Sequence, residues 1–328
     1  MKGLKKQLQS SEYHNVYLFY GEEKYLLEIY LKKLIDGLLI DTDQTMNYDY
    51  FDKNNMNVDK LFGAIETLPF FANRRVIVVS YTKLFKGKSN NSLAISERIT
   101  DIPESTTVIF LEDEVDKRSK LYKLINKEGY VASFNKMTEN DLVKWVGQKL
   151  HGSGKKIEKS VALHFLKTVG TDMANINNEI EKLVMYCQDK DIVTRGSIDE
   201  ICTRSIENKI FELVSAMGQN KRERAVLLYH DMIIAKEPPG RILFMLIRQF
   251  RLILQSKLLH EKGLSERDIG SKIKLAPFIV RECLRQGKNL TADNLKEALK
   301  DCLETDSNIK IGKIDARIGV EVVIMKYS

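Results

Sequence analysis

Residues Gly87-Lys88-Ser89 end like the phosphate-binding loop of nucleotide hydrolases, in which backbone N–H groups and a lysine surround the phosphates. That loop needs a glycine five residues before Gly87, so that the backbone can wrap around phosphate, and Thr82 stands there instead. Asp113 resembles the matching metal ligand, yet it follows too closely for the helix and strand that usually intervene. We interpret the segment as a polar surface loop; a nucleotide-dependent enzyme using Lys88 and Asp113 is the alternative.

The first turn between a strand and a helix is where a nucleotide-binding α/β fold holds phosphate. Here it reads Gly21-Glu22-Glu23-Lys24-Tyr25, without a second glycine and without a Lys-Ser/Thr pair. Two carboxylates at a helix N-terminus take up its partial positive charge and would repel a triphosphate. We therefore expect a nucleotide-binding architecture that has no nucleotide-binding residues.

No other set of residues points to catalysis. The five histidines are scattered singly, and no GxSxG, HExxH or carboxylate-rich metal motif is present. The four cysteines form no CxxC pair and have no histidine at ligand spacing, which is typical of reduced thiols in a cytoplasm. We expect no catalytic residue, no metal ligand and no cofactor.

Length and composition indicate a globular protein of two or three domains, with 328 residues of which 43% are hydrophobic and 30% charged. The net charge of +7 permits work near DNA but does not establish it. The polar N-terminus lacks the apolar run of a signal peptide, and no stretch approaches the ~20 apolar residues of a membrane span. A cytoplasmic protein without a membrane partner is expected.

Short runs rich in β-branched residues alternate with helical patterns in the first part of the chain. Strands are predicted at 16–20, 48–51, 76–79, 108–111 and 130–134. Before the third strand, a helix is predicted with Asn57 as its N-cap and an apolar face of Leu61, Phe62, Ile65 and Leu68. Such alternation is typical of an α/β domain with a mainly parallel sheet.

The strand signals stop after residue 134, and helical patterns follow. Thr138 to Asp141 resembles a capping box that opens a helix. Further helices are separated by breaks at 152–154, 238–240, 263 and 287–289. The sequence therefore predicts an α/β domain at 1–135, a small helical domain at 136–204 and a second helical domain at 205–328.

The segment 264–285 has the helix-turn-helix spacing of a DNA-reading module. A reading helix presents Arg, Asn, Gln or Ser to base edges near its start, whereas this second helix opens with Ala276, Pro277 and Phe278. Packing against neighbouring helices is the favoured interpretation. A DNA-binding regulator that uses this segment is a second alternative.

Several segments, in order along the whole chain, resemble the delta subunits of bacterial DNA polymerase III clamp loaders. They are YLFYGEE at 17–23, LPFFANRRVIVV at 68–79, DKRSKLYK at 116–123, NEIEKL at 178–183, IFEL at 210–213, RQFR at 248–251 and the segment 306–312. Each motif alone is moderately specific, and their order of occurrence is highly specific.

The resemblance implies an AAA+-like first domain without a working ATP site, a small helical domain and a helical collar through which subunits assemble. It implies a non-catalytic subunit of the DNA-directed DNA polymerase holoenzyme, a nucleotidyltransferase assembly, which binds and opens the sliding clamp (beta subunit) in DNA replication. Implied partners are the ATP-binding gamma/tau subunits and delta-prime in a hetero-pentamer, with DNA in the assembled complex. The implied location is the cytoplasm, at replication forks of the nucleoid.

The clamp contact in this family is a pair of apolar residues just after the helix that precedes the third strand. The resemblance therefore implies a clamp-binding site at Leu68, Phe70 and Phe71. Pro69 should end the helix. Two adjacent aromatic residues cannot easily both point into one core, so we expect at least one exposed ring.

Basic residues on a C-terminal helix are candidates for DNA contact. Arg248 and Arg251 are expected to face DNA phosphates in the assembled complex. Phosphate contacts carry no sequence information, as a loader that accepts any sequence requires.

Overall fold

The computed structural model describes residues 2–40, 45–87 and 89–328. These residues form two compact units, Met1–Met137 and Thr138–Ser328. The predicted division into three domains, with a further boundary near residue 204, stays a prediction.

The first unit is a parallel sheet with helices on both faces. Its strands are β1 (Val16–Tyr20), β2 (Tyr48–Asp52), β3 (Arg75–Ser80), β4 (Thr106–Glu112) and β5 (Tyr130–Ser133). Its helices are α1 (Lys2–Ser10), α2 (Lys24–Leu38), α3 (Val58–Glu66), α4 (Asn90–Arg98) and α5 (Lys120–Glu128), with a 3-10 turn at Ile99–Asp101. All strand pairs are parallel, in the order β2-β3-β4-β1-β5. The predicted α/β fold is confirmed.

Burial on both faces explains the apolar runs within β1, β3 and β4. Every residue of β4 is buried, as in parallel sheets covered on two sides. In β1, Leu18 belongs to the core formed with α3, α4 and α5. Its neighbour Tyr17 points the opposite way, and its hydroxyl donates to Gln7 of α1 (2.9 Å). Helix α1 is absent from the sequence-based expectations because its residues are mostly polar, although its Leu4 is fully buried.

The second unit is largely helical, as expected. Its helices are α6 (Glu139–Gly152), α7 (Lys159–Val169), α8 (Met173–Tyr186), α9 (Arg195–Ile201), α10 (Ile206–Gly218), α11 (Arg222–Ile234), α12 (Pro239–Glu261), α13 (Glu266–Ile273), α14 (Pro277–Gly287), α15 (Ala292–Lys310) and α16 (Ala316–Lys326). A parallel ladder joins β6 (Lys156–Ile157) to β7 (Ile192–Val193). Two-residue strands are too short to leave an alternating pattern, so the sequence did not predict them.

Two helix starts agree with the sequence-based expectations. The side chain of Asn57 accepts the Lys60 N–H at the start of α3, at 3.0 Å. The Thr138 hydroxyl accepts the Asp141 N–H at the start of α6, at 3.2 Å. Both caps satisfy backbone donors that have no partner within the helix.

Candidate functional site

The loop between α3 and β3 (residues 67–74, hereafter the aromatic loop) exposes both of its phenylalanines. Phe70 is 55% exposed and Phe71 is 91% exposed. The two rings meet edge to face, with their centroids 4.6 Å apart. The expectation of at least one exposed ring is confirmed. A contiguous apolar surface of this kind is typical of a site for a protein partner.

Leu68 departs from its predicted place on the apolar face of a helix. Helix α3 ends at Glu66, and Leu68 is 77% exposed. Pro69 explains the difference, because the residue before a proline avoids helical backbone and proline cannot continue the helix. Leu68 is therefore a third exposed apolar side chain on the aromatic loop.

Hydrogen bonds from the ends of the strands hold both sides of the aromatic loop. On the helix side, the Thr106 hydroxyl donates to the Ile65 carbonyl (3.0 Å). On the strand side, the Arg74 guanidinium donates to the Thr107 hydroxyl (3.1 Å). Arg75 donates to the Asp49 carboxylate through its Nε (3.0 Å). The exposed surface is thus carried on a short loop with fixed ends.

A buried asparagine outside the loop also binds it. The Phe70 N–H donates to Asn47 Oδ1 (2.7 Å), and Asn47 Nδ2 donates to the Phe70 carbonyl (2.9 Å). Asn47 has no exposed surface. The sequence did not predict this contact, because the two residues are 23 positions apart and no motif links them.

The aromatic loop lies at the amino-terminal edge of the sheet, since it leads directly into β3. The turn after β1, where a nucleotide would bind, lies at the carboxyl-terminal edge. Strands of this length separate the two edges by roughly 17 Å. A partner on the aromatic loop therefore does not occupy the position of a nucleotide.

Two backbone donors in the turn after β1, those of Gly21 and Glu23, are already used by the protein. The Gly21 N–H donates to the Glu112 carbonyl (3.1 Å), and the Glu23 N–H donates to the Phe134 carbonyl (2.9 Å). Glu22 lies 3.7 Å from the Lys136 ammonium. A phosphate site needs such N–H groups to point at the ligand. These two point at the ends of neighbouring strands instead.

Asp113, the candidate metal ligand of the P-loop alternative, pairs with Lys24 at 3.0 Å. The Lys24 ammonium also lies over the Tyr81 ring, 4.4 Å from its centroid. Lys88 lies outside the residues that the structure describes. Its neighbour Ser89 caps α4 by accepting the Ser92 N–H (3.1 Å). Asp113 thus contacts the first turn of α2, on the same edge of the sheet as Gly21.

Glu112 is a buried carboxyl group at the end of β4. It is 3% exposed and accepts hydrogen bonds from the Thr82 hydroxyl (3.3 Å) and the Leu84 N–H (3.2 Å). Burial raises its pKa from the ordinary 4.5 to about 7, against the opposing effect of these hydrogen bonds. The side chain therefore fixes the loop after β3.

The free energy of unfolding should depend on pH through Glu112. Because its pKa is raised in the folded protein, the folded state binds this proton more tightly than the unfolded state. The associated stability is present below pH 4.5 and is lost as the pH rises through about 7. When the pH rises from 5 to 8, we expect the free energy of unfolding to fall less in Glu112→Gln than in the wild type. The difference between the two falls should be up to about 3 kcal/mol. Urea unfolding at both pH values measures this, with the exposed Glu114→Gln as control; parallel curves for wild type and Glu112→Gln would contradict it.

The predicted DNA contacts lie on α12, one turn apart. Arg248 is half-buried and Arg251 is exposed. The exposed Phe244 lies one turn earlier on the same helix. A DNA contact of the two arginines stays a prediction.

The helix-turn-helix segment forms α13 and α14, and α14 packs against its neighbours. Val280 and Cys283 are buried. The Gln286 amide donates to the Phe211 carbonyl (2.8 Å) and to the Ser215 hydroxyl (2.7 Å) of α10. The predicted packing role is confirmed.

Two findings hold for the described part of the chain, residues 2–40, 45–87 and 89–328. No helix there has the length and apolar character needed to cross a membrane. The same residues contain no group of three or more His, Cys, Asp or Glu side chains able to hold a metal ion.

Comparisons with known proteins identify the same family in both halves of the chain. The family model "DNA polymerase III, delta subunit" matches residues 17–135, and "DNA polymerase III delta subunit, C-terminal domain" matches residues 207–327. The DNA polymerase III subunit delta of Bacillus subtilis is 26% identical, over 98% of this chain and 95% of its own. A probable DNA polymerase III subunit delta of Aquifex aeolicus is 21% identical, over 92% and 85%.

A solved structure agrees as well. The DNA clamp loader delta protein of Bacillus subtilis superposes with a TM-score of 0.79 at 25% identity, covering 99% of this chain and 98% of that one. The match includes both the five-stranded parallel sheet and the helical region that follows it.

Proposed function

The chain belongs to the DNA polymerase III delta subunit family and is a non-catalytic clamp-loader subunit, and from this we infer that Leu68, Phe70 and Phe71 bind the sliding clamp. The observation that carries the inference is the exposure of all three apolar side chains on one loop with fixed ends. The resemblance to the family implies a clamp contact at this place in the fold, just before the third strand.

The exposed phenylalanines of the aromatic loop can contribute a large part of the binding energy of an interface. Burying one phenylalanine side chain in a partner contributes about 2–3 kcal/mol. A few central anchors of this type often account for most of the binding energy of an interface. Phe71, which is 91% exposed, has the larger area available for burial.

Opening the clamp requires no hydrolysis by this chain. A subunit that binds the open or strained clamp interface more tightly than the closed one shifts the clamp toward the open state. The shift cannot exceed the difference between the two affinities. In this proposal, ATP bound by the other subunits regulates access to the aromatic loop.

The proposed partners follow the family assembly. They are the sliding clamp (beta subunit), the ATP-binding gamma/tau subunits and delta-prime, joined in a hetero-pentamer through the helical collar at residues 205–328. In that assembly Arg248 and Arg251 would contact DNA phosphates. The assembly works at replication forks in the cytoplasm.

The experiment is a titration of the isolated full-length chain with purified sliding clamp, with and without ATP. We expect the same dissociation constant in both conditions and no ATP hydrolysis. The reason is that the Gly21 and Glu23 N–H groups of the turn donate to protein carbonyls. Clamp binding that requires ATP, or hydrolysis that copurifies with the chain, would overturn the proposal.

A further inference from the structure

Asn47 joins the aromatic loop to the sheet by a two-point contact. Its amide oxygen accepts the Phe70 N–H (2.7 Å) and its amide nitrogen donates to the Phe70 carbonyl (2.9 Å). One side chain thus satisfies both backbone groups of Phe70, as a neighbouring strand would do in a sheet. The side chain is fully buried, so water does not compete for either bond.

The backbone around Asn47 is itself fixed to β3. The Asn47 carbonyl accepts the Val76 N–H (2.8 Å). The Arg75 guanidinium donates to the carbonyl of Met46 (3.1 Å). Asn47 therefore fixes the middle of the aromatic loop relative to the strands, between the two ends of the loop that are held by other hydrogen bonds.

Phe71, directly after this contact, has an unfavourable backbone conformation. Its φ is +47°, in the left-handed region that bulky residues rarely adopt. Its ring is 91% exposed, so burial in this chain does not stabilise that conformation. The contact at Phe70 is the neighbouring interaction that holds the backbone in place.

We propose that Asn47 is a positioning residue, which holds the aromatic loop in its clamp-binding conformation before the clamp arrives. The proposal rests on the clamp-binding role of Phe70 and Phe71. A loop that is already ordered loses less conformational entropy on binding, so its affinity is higher. Asn47 raises the affinity in this way although it is buried and does not touch the clamp.

The chemistry of the amide decides which variants are informative. Asparagine supplies one donor and one acceptor at this reach. Asn47→Ala removes both bonds. Asn47→Asp is nearly the same size and keeps the acceptor, but its ionised carboxylate cannot donate to the Phe70 carbonyl. Asn15→Ala is a matched control, because the Asn15 amide donates to a backbone carbonyl of the same unit that lies outside the loop, that of Pro103 (3.3 Å).

The experiment measures clamp affinity, thermal stability and amide hydrogen exchange of the full-length variants with purified sliding clamp. We expect Asn47→Ala to weaken binding at least tenfold and Asn15→Ala to leave it within twofold. Asn47→Asp should weaken binding at least as much as Asn47→Ala, because it places a buried carboxylate oxygen against the Phe70 carbonyl. Exchange of the Phe70 amide should accelerate in Asn47→Ala while the amides of β3 stay protected. In a Phe71→Ala background the further loss from Asn47→Ala should shrink, because the ring that it positions is gone.

Three results would overturn the proposal. The first is a folded Asn47→Ala or Asn47→Asp variant with faster Phe70 exchange and unchanged clamp affinity. The second is an equal affinity loss in the wild-type and Phe71→Ala backgrounds. The third is retained clamp binding by Phe70→Ala/Phe71→Ala, which would contradict both the proposed clamp site and the role of Asn47. Either of the first two results would contradict only the role of Asn47. If Asn47→Ala does not fold, the near-isosteric Asn47→Asp supplies the same comparisons.

Discussion

Replacing Phe70 and Phe71 together with alanine is expected to abolish measurable clamp binding while leaving the fold intact. Each ring contributes about 2–3 kcal/mol when buried in a partner, so losing both should weaken affinity roughly a thousandfold or more. The rings are 55% and 91% exposed, and their removal leaves no cavity in the core. Calorimetric titration with purified sliding clamp measures the loss, and the melting temperature reports on the fold.

A suitable control for the double variant is Phe244→Ala on α12. This ring is also exposed (64%) but lies in the second unit. It should bind clamp as the wild type does. A folded Phe70→Ala/Phe71→Ala protein with affinity within a few-fold of the wild type would remove the proposed site.

Gly21→Ala is expected to destabilise the first unit severely, by several kcal/mol or to the point of preventing folding. A Cβ at this position would lie 2.1 Å from the Phe134 carbonyl oxygen and 2.5 Å from its carbon. The clash is with backbone of the strand end, which cannot rotate away. The φ of +140° is also one that side-chain-bearing residues rarely adopt.

Urea unfolding of Gly21→Ala beside Gly63→Ala isolates the cause. Gly63 lies inside α3 and a Cβ there meets nothing within 4 Å. Because alanine favours helix over glycine, that control should gain up to about 1 kcal/mol. A Gly21→Ala protein with the unfolding midpoint of the wild type would show that the turn can relax.

The sheet was predictable because burial on both faces leaves a strong local signal. β1 and the middle of β4, residues 108–111, are continuous apolar runs, as expected of strands that are covered on both faces. Pro69 in turn predicts where α3 stops, because a proline acts on its immediate neighbours. The exposed rings follow from that stop, since the chain leaves the helix before it reaches them.

Other features depend on contacts between distant parts of the chain. The bonds from Asn47 to Phe70 depend on how β2 and β3 pair, so a local pattern cannot reveal them. The raised pKa of Glu112 results from its burial, which depends on the packed structure around the end of β4. Helix α1 looks polar, and only the packed structure shows that Leu4 is buried.

The two edges of the sheet differ in the groups that they offer to a binding partner. At the carboxyl-terminal edge, protein carbonyls accept the N–H groups of Gly21 and Glu23. At the amino-terminal edge, the aromatic loop exposes its apolar side chains. Under the proposed function, a subunit built in this way binds the sliding clamp through apolar contact and depends on other subunits for nucleotide chemistry.

Site-specific photocrosslinking tests most directly whether the aromatic loop binds the sliding clamp without nucleotide. A photoreactive benzoyl-phenylalanine replaces Phe71 in one protein and Phe244 in another, and each is irradiated with purified sliding clamp in the absence of nucleotide. The account predicts a covalent adduct with the clamp from position 71 and none from position 244. An adduct from position 244 alone, or one from position 71 that forms only when ATP is added, would contradict it.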